Sequence, residues 1–404
     1  METSGTAGSG DTRLNRLIAA GLIDSFGLAL GWTVFVLHAV AIQGLGTAAA
    51  YSAAMLVGIG LSAPVAGVLA SRLDGRHLLQ STAVVEGALR AGVFVLLVLD
   101  FPVPVIAALV VVSNVVAWTG YAGMRAEIAN EAGTGRTRAL TWYAGGVAAI
   151  EAAGAGVAAV LPVGAAGTVT GTLLLVVVAV HALVLLPTFL VARGSRVVRS
   201  VRIRGHFPLL RCAPMFAGGF AVMLVASGPV FLAVALTAKL HGRVWVAPAA
   251  IAFTAGALIA PLVVAALERR RLPATVLWPL LGVGLIAGWA LAPLHPAGLL
   301  LAQAMSGIFL TSLEGTIDAR VAEAVPEQVT AGMGWAGAVR ALGSAAAVGG
   351  APAMIAVAGL GAASALAGAV LACVALVALV VLRPRRLVYL RPADASGSRA
   401  PFPQ

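Results

Sequence analysis

Seven ionisable side chains lie inside long apolar runs of this sequence: Asp24, Glu86, Arg90, Glu151, Glu314, Asp318 and Arg340. A charge at bilayer depth costs a few kcal/mol or more, so each one needs a partner, a wet cavity or a function. A carboxylate withdrawn from water binds a proton more readily, and it can load and release that proton as its access to water changes. Asp24, roughly 12 Å into the first run at the helical rise, is the first choice for that role, with helix packing as the alternative. Glu86 and Arg90 are four apart in the order that favours a helical ion pair, the plainer reading of both. Glu151 and Arg340 each stand 13 residues from a flanking charge, Arg138 and Glu327. That is roughly 20 Å, near the bilayer midplane. Each is central in a stripe of small residues, with Ala144, Ala148, Gly154 and Ala158 around one and Ala336, Gly337, Gly343 and Ala347 around the other. Such stripes imply close helix packing. An acid and a base within them could face a bound molecule from two sides, or pair with each other as a latch; Glu151 is the second candidate for proton binding. Glu314 and Asp318, one turn apart and nearer a membrane surface, read as a gate with Arg320 or the Arg269–Arg271 cluster.

These residues must be positioned by membrane helices. Of 404 residues 60% are hydrophobic and 10% charged, where a soluble chain carries about 25% charged residues, and the mean hydropathy is +1.01. Apolar windows at 17–42, 47–70, 80–99, 103–124, 139–162, 166–192, 209–238, 244–267, 273–293, 297–317, 328–357 and 360–382 predict an all-α integral membrane protein of twelve transmembrane helices. The first window is long enough to span, so it is read as a retained helix and not a signal peptide. Cys212 and Cys373 lie in separate apolar runs, and neither a disulfide framework nor metal-ligand spacing follows. No nucleophile–base spacing or phosphate-cradling glycine loop is present, so neither an enzyme nor an ATP-driven pump is expected, and no cofactor or metal.

The net charge of +11 comes from 26 basic residues against 15 acidic ones. All but Arg90, Arg340, Lys239 and Arg243 fall in the N-terminal segment, the loops after even-numbered windows, the stretch between Arg193 and Arg211, or the C-terminal tail. That asymmetry places both termini in the cytoplasm and speaks against nucleic-acid binding. The ends, 1–12 and 388–404, have the composition of disordered tails. Two echoes relate the halves. Ala63-Pro64 matches Ala260-Pro261 at an offset of 197, and Tyr143-Ala144-Gly145 matches Trp335-Ala336-Gly337 at an offset of 192. Both fall in equivalent windows of a six-plus-six repeat. The division predicted is an N-terminal bundle over 1–192, a basic cytoplasmic linker over 193–208 and a C-terminal bundle over 209–404.

The loop Gly67-Val68-Leu69-Ala70-Ser71-Arg72-Leu73-Asp74-Gly75-Arg76 resembles the G-x-x-x-D-R-x-G-R-R signature of the major facilitator superfamily, and with the twelve windows the resemblance covers nearly the whole chain. It implies two pseudo-symmetric six-helix bundles that rock about a midplane site. It also implies that spans one and four line the cavity, offering Trp32, Trp118 and Tyr121 to an apolar or cationic ligand. In the family this loop forms an electrostatic latch with an acid at the end of span four. Here that carries over to Arg72, Asp74 and Arg76 with Glu127. The sequence departs from the pattern in three places: Ser71 replaces the acid, Asp74 precedes a shifted glycine, and 107–124 contains no arginine. Gly154-Ala155-Gly156 stands where the antiporter subset has a Gly-Pro pair.

The resemblance and the excess of buried acids together predict a secondary transporter. The leading expectation is proton-coupled export of an amphiphilic or cationic drug or metabolite, by a monomer in the bacterial inner membrane. Uptake of a polar or zwitterionic nutrient, with Arg340 binding a carboxylate, is the alternative. A membrane receptor or scaffold that does not transport is a reading of another class.

Overall fold

The computed structural model describes residues 7–132, 136–165, 167–195, 197, 208–270, 272–325 and 329–381. With no water in the hydrocarbon to satisfy the backbone, apolar runs of this length close their hydrogen bonds internally as helices. Six follow in the first half: α1 (Ala7–Gln43), α2 (Leu45–Ala70), α3 (Gly75–Val98), α4 (Val103–Ala132), α5 (Arg136–Val160) and α6 (Gly171–Val191). The second half contains α7 (Leu209–Ala226), α8 (Gly228–Phe231), α9 (Ala233–His241), α10 (Val246–Arg269), α11 (Ala274–Ala287), α12 (Pro296–Ala324) and α13 (Val329–Val381). Ten helices among the described residues are long and apolar enough to cross a membrane, so this is a multi-pass membrane protein.

The windows map onto the helices with four differences. The seventh is broken into α7, α8 and α9, and the ninth is short. The eleventh and twelfth share α13, which would be about 80 Å long if straight, far beyond a bilayer core. It breaks at Gly359, whose φ of 75° only glycine adopts without strain, between the two predicted windows. A fourth difference is at the start, where α1 already begins at Ala7, so 7–12 is helix and not a tail. Residues 1–6, most of the expected linker (196 and 198–207), Arg271, Glu327 and the tail from 382 lie outside the described residues.

Small residues set how closely the helices approach, and they do so in the same way in both halves. Gly154 of α5 lies on the backbone of α1, where an added Cβ would be 2.7 Å from the Phe26 carbonyl oxygen. Gly343 of α13 lies likewise on α7, 2.6 Å from that of Phe220. Gly58 of α2 abuts Val111 of α4, as Gly256 of α10 abuts Ala304 of α12. Spans one and five thus pair as seven and eleven do, and two and four as eight and ten do. This is the pseudo-symmetry of two six-helix bundles. Between the halves α2 packs on α13, with Gly60 against Leu342, and α5 packs on α10, where the Thr254 hydroxyl donates to the Ala148 carbonyl at 3.3 Å.

Candidate functional site

Trp118, Tyr121 and Arg125 share one face of α4 at helical spacing. Tyr121 takes Trp118 edge-on at 5.2 Å, stacks on Tyr143 of α5 at 5.8 Å, and has the Arg125 guanidinium 5.9 Å from its ring centre. Glu151 lies two turns beyond Tyr143 on α5 and is exposed despite its depth. Glu151 in the first half and Glu314 in the second are thus both acids within apolar spans whose side chains keep access to open space.

In the second half Arg340 is held by two acids of α12. Its Nη1 donates to Asp318 at 2.6 Å, and its Nε lies 3.9 Å from Glu314. The Glu314 side chain stays 44% exposed while Arg340 is 10% exposed, so the base is covered and one acid is left facing open space. The expectation that Glu314 and Asp318 gate with Arg320 or the Arg269–Arg271 cluster is therefore corrected. They are one helical turn apart on the face of α12 that meets α13, which brings them to Arg340, while Arg320 points outward and pairs with Glu323 at 3.4 Å. In place of the expected pairing with Glu151, the Arg340 guanidinium pairs with Asp318 and Glu314 of α12.

Inside the first half Glu86 accepts from Arg90 Nε at 3.0 Å, the ion pair expected from spacing. Asp24 of α1 is half-buried. His181 of α6 has its Nε2 4.0 Å from the Glu86 carboxylate. Trp32 packs on Phe35 at 5.5 Å and lines a small cavity with Arg90 and Asn114, apart from the Trp118–Tyr121 pair.

No protein-family model matches the sequence, and no curated protein matches it. Solved structures match its shape. A nucleoside transporter, NupG, superposes over 91% of this chain and 98% of its own with a TM-score of 0.69 and 9% identity. A D-xylose–proton symporter covers 90% and 96% at 0.67 and 12% identity. A bacterial homologue of the human lysosomal transporter Spinster, inward-facing and unoccupied, covers 92% of each chain at 0.62 and 15% identity. The chain has the major facilitator fold.

The signature loop of that fold behaves differently here from its family pattern. Arg72 and Arg76 are exposed, and neither reaches Glu127. Glu127, 1% exposed, is instead taken by Arg13 of α1 at 3.2 Å and by the Ser195 hydroxyl, and Arg13 also pairs with Glu131. Gly75 explains the geometry: a Cβ there would run into the Glu127 carboxylate and Ser195, so the start of α3 rests directly on the acid and leaves the arginines outside. Asp74 caps α3, accepting from the His77 backbone at 2.8 Å, with the His77 ring at 2.7 Å. Those hydrogen bonds hold its carboxyl below the usual range.

At the opposite end of the bundle Arg243, just before α10, donates to the Ala158 carbonyl at 3.1 Å and the Gly167 carbonyl at 3.3 Å, both in the first half. The turn that offers Gly167 is closed by a bridge between Val163 and Val169 and by a hydrogen bond from the Gly164 amide to Thr168. Beside it Leu37 and Ala159 pack on Val246. The sequence marked Arg243 only as one of two bases on its side. Arg13, Tyr143 and His181 carried no local signal of their partners.

Proposed function

We propose that the chain is a secondary transporter that exchanges protons for a small organic cation or amphiphile by alternating access. Two acids that keep access to open space within apolar spans, Glu151 in one half and Glu314 in the other, carry this reading. With Arg340 occupied by Asp318, the accessible acids and the aromatic faces of Trp118, Tyr121 and Tyr143 suit a cation on both electrostatic and cation–π grounds. A carboxylate cannot hold a proton and a salt-bridged cation at once, so the two ligands compete and their fluxes couple in opposite directions. Asp24 serves as a further proton-binding carboxylate. The division falls between 1–192 and 209–404, with both termini in the cytoplasm of a bacterial inner membrane and the protein acting as a monomer. The hydrogen bonds of Arg243 then close the outer face, and the conformation is inward-facing.

One observation favours a second reading. A D-xylose–proton symporter shares the fold, so proton-driven uptake of a polar or zwitterionic nutrient is the alternative, in which Arg340 exchanges Asp318 for a substrate carboxylate. Liposomes enclosing a pH-sensitive dye, challenged with amphiphilic cations and zwitterions, separate the readings. Proton efflux driven by cation entry, lost in Asp24→Asn or Glu151→Gln, supports exchange. Protons moving with a zwitterion, and loss of that movement in Arg340→Ala, support symport. Absence of any flux supports a receptor or scaffold.

A further inference from the structure

A groove of about 550 Å³ opens at the arginine-rich end of the second bundle, where the starts of α7 and α11 meet the end of α12. Its wall combines two kinds of surface. Arg211 from the first turn of α7 and Arg320 near the end of α12 bring guanidinium groups, while Met215, Ala274 and Trp278 bring apolar area. Trp278 is 6% exposed, and its Nε1 has no hydrogen-bond partner among the described residues.

The charges of the groove do not cancel. Arg320 pairs with Glu323 at 3.4 Å, both side chains being more than half exposed. Arg211 is exposed, and no acid lies within ion-pair distance of it among the described residues, so one positive charge is in excess. Two features raise the potential further. Arg269 and Arg270 are exposed at the end of α10, shortly before Pro273, and α11 starts in the wall of the groove at Pro273 and Ala274, which places the positive end of its dipole there. An anion is therefore the complementary ligand. Its other half is indicated by α7, where Leu209 and Leu210 directly precede Arg211 and are 47% and 91% exposed. Apolar side chains left this open are costly in water and are covered by acyl chains at the end of a membrane helix. A basic pocket between such helices binds an anionic headgroup by the same charges.

We propose that the groove between α7, α11 and α12 is a binding site for the phosphate headgroup of an anionic phospholipid, with Arg211 and Arg320 on the phosphate oxygens and the acyl chains against Leu209 and Leu210. Arg320 leaves Glu323 for the phosphate at little cost, because an exposed ion pair contributes little. The site is separate from Glu151, Glu314 and Arg340, and it depends neither on what is transported nor on proton coupling.

Native mass spectrometry of the full chain in detergent reads lipid retention directly. Offered equal amounts of phosphatidylglycerol and phosphatidylcholine with the same acyl chains, the protein is expected to retain phosphatidylglycerol in preference. Arg211→Gln and Arg320→Gln are each expected to weaken the tightest phosphatidylglycerol site about fivefold, and the double variant roughly thirtyfold. Glu323→Gln, which frees Arg320, is expected to strengthen it. Arg72→Gln with Arg76→Gln removes the same charge from the corresponding end of the first bundle and is expected to leave that site unchanged, with equal unfolding temperatures showing that the variants fold. Equal losses in the two double variants, or no preference for phosphatidylglycerol in the starting protein, would overturn the site. Inorganic phosphate as competitor separates the two sources of the anion. Retention of the lipid in about a hundredfold excess of phosphate is expected, whereas displacement at equal concentration would overturn the lipid in favour of a soluble phosphate.

Discussion

Replacing Arg243 by alanine tests whether one side chain keeps the far end of the bundle shut. The change deletes two hydrogen bonds from a guanidinium to the Ala158 and Gly167 carbonyls across the halves. Hydrogen bonds from a charged donor contribute about 1.5–3 kcal/mol each, but Arg243 is only half-buried and water recovers part of the loss. Taking about 2 kcal/mol for the two together, the ratio of open to closed far ends rises roughly 30-fold. Ala159, 7% exposed in the apolar seal with Leu37 and Val246, is the reporter. With Cys212 and Cys373 changed to serine and Ala159→Cys introduced, the thiol reacts with a bulky maleimide only when the seal opens. Its labelling rate is then expected to rise roughly 30-fold in Arg243→Ala. Arg243→Lys, which keeps the charge but not the planar fork, should fall between. Equal labelling rates in Arg243 and Arg243→Ala proteins of equal unfolding temperature would refute the latch.

Other outcomes follow from the same geometry. Arg340→Met strands Asp318 and Glu314; because both acids keep partial access to water, the loss is set at about 2 kcal/mol, below the range for fully buried pairs. Thermal unfolding should show it, with recovery when Asp318→Asn is added. Gly154→Leu forces α5 off α1, where even a Cβ lies 2.7 Å from the Phe26 carbonyl oxygen, and is expected to cost about 1–3 kcal/mol or abolish folding. Gly145→Leu, with open space at its Cβ, should leave the folded yield on size exclusion unchanged. Asp74→Ala removes the α3 cap and lowers the unfolding temperature near neutral pH. Since the folded Asp74 carboxyl is held below its ordinary range, its contribution is present above the unfolded pKa of about 4. It vanishes as pH falls through the lower folded value, so wild-type and variant melting curves should converge in acid.

Much of the architecture was legible before any coordinates. Hydropathy and Arg placement located the crossings because a backbone in hydrocarbon has few options besides the helix, and this is a local requirement. The break at Gly359 and the Glu86–Arg90 pair were readable for the same reason, one being a turn between two apolar windows and the other an i, i+4 contact along a single helix. Partners between helices were not readable. Glu127 was matched to Arg72 and Arg76 by analogy of the loop, whereas Arg13, more than a hundred positions away, reaches it because Gly75 lets α3 rest on the acid. Arg340 read as a base for a bound molecule or for Glu151, and only the packing of α12 on α13 brings Asp318 to it.

The sequence by itself therefore determined what short-range physics dictates: an apolar, twelve-window chain, its charge asymmetry and the fact that seven charges need company in the membrane. Only the tertiary structure decided which charges keep that company, because desolvated side chains pair with whatever the helix packing places within a few ångströms. That packing is set by small residues such as Gly154, Gly343, Gly58 and Gly256, whose partner helices are visible only when the opposing backbone is in place.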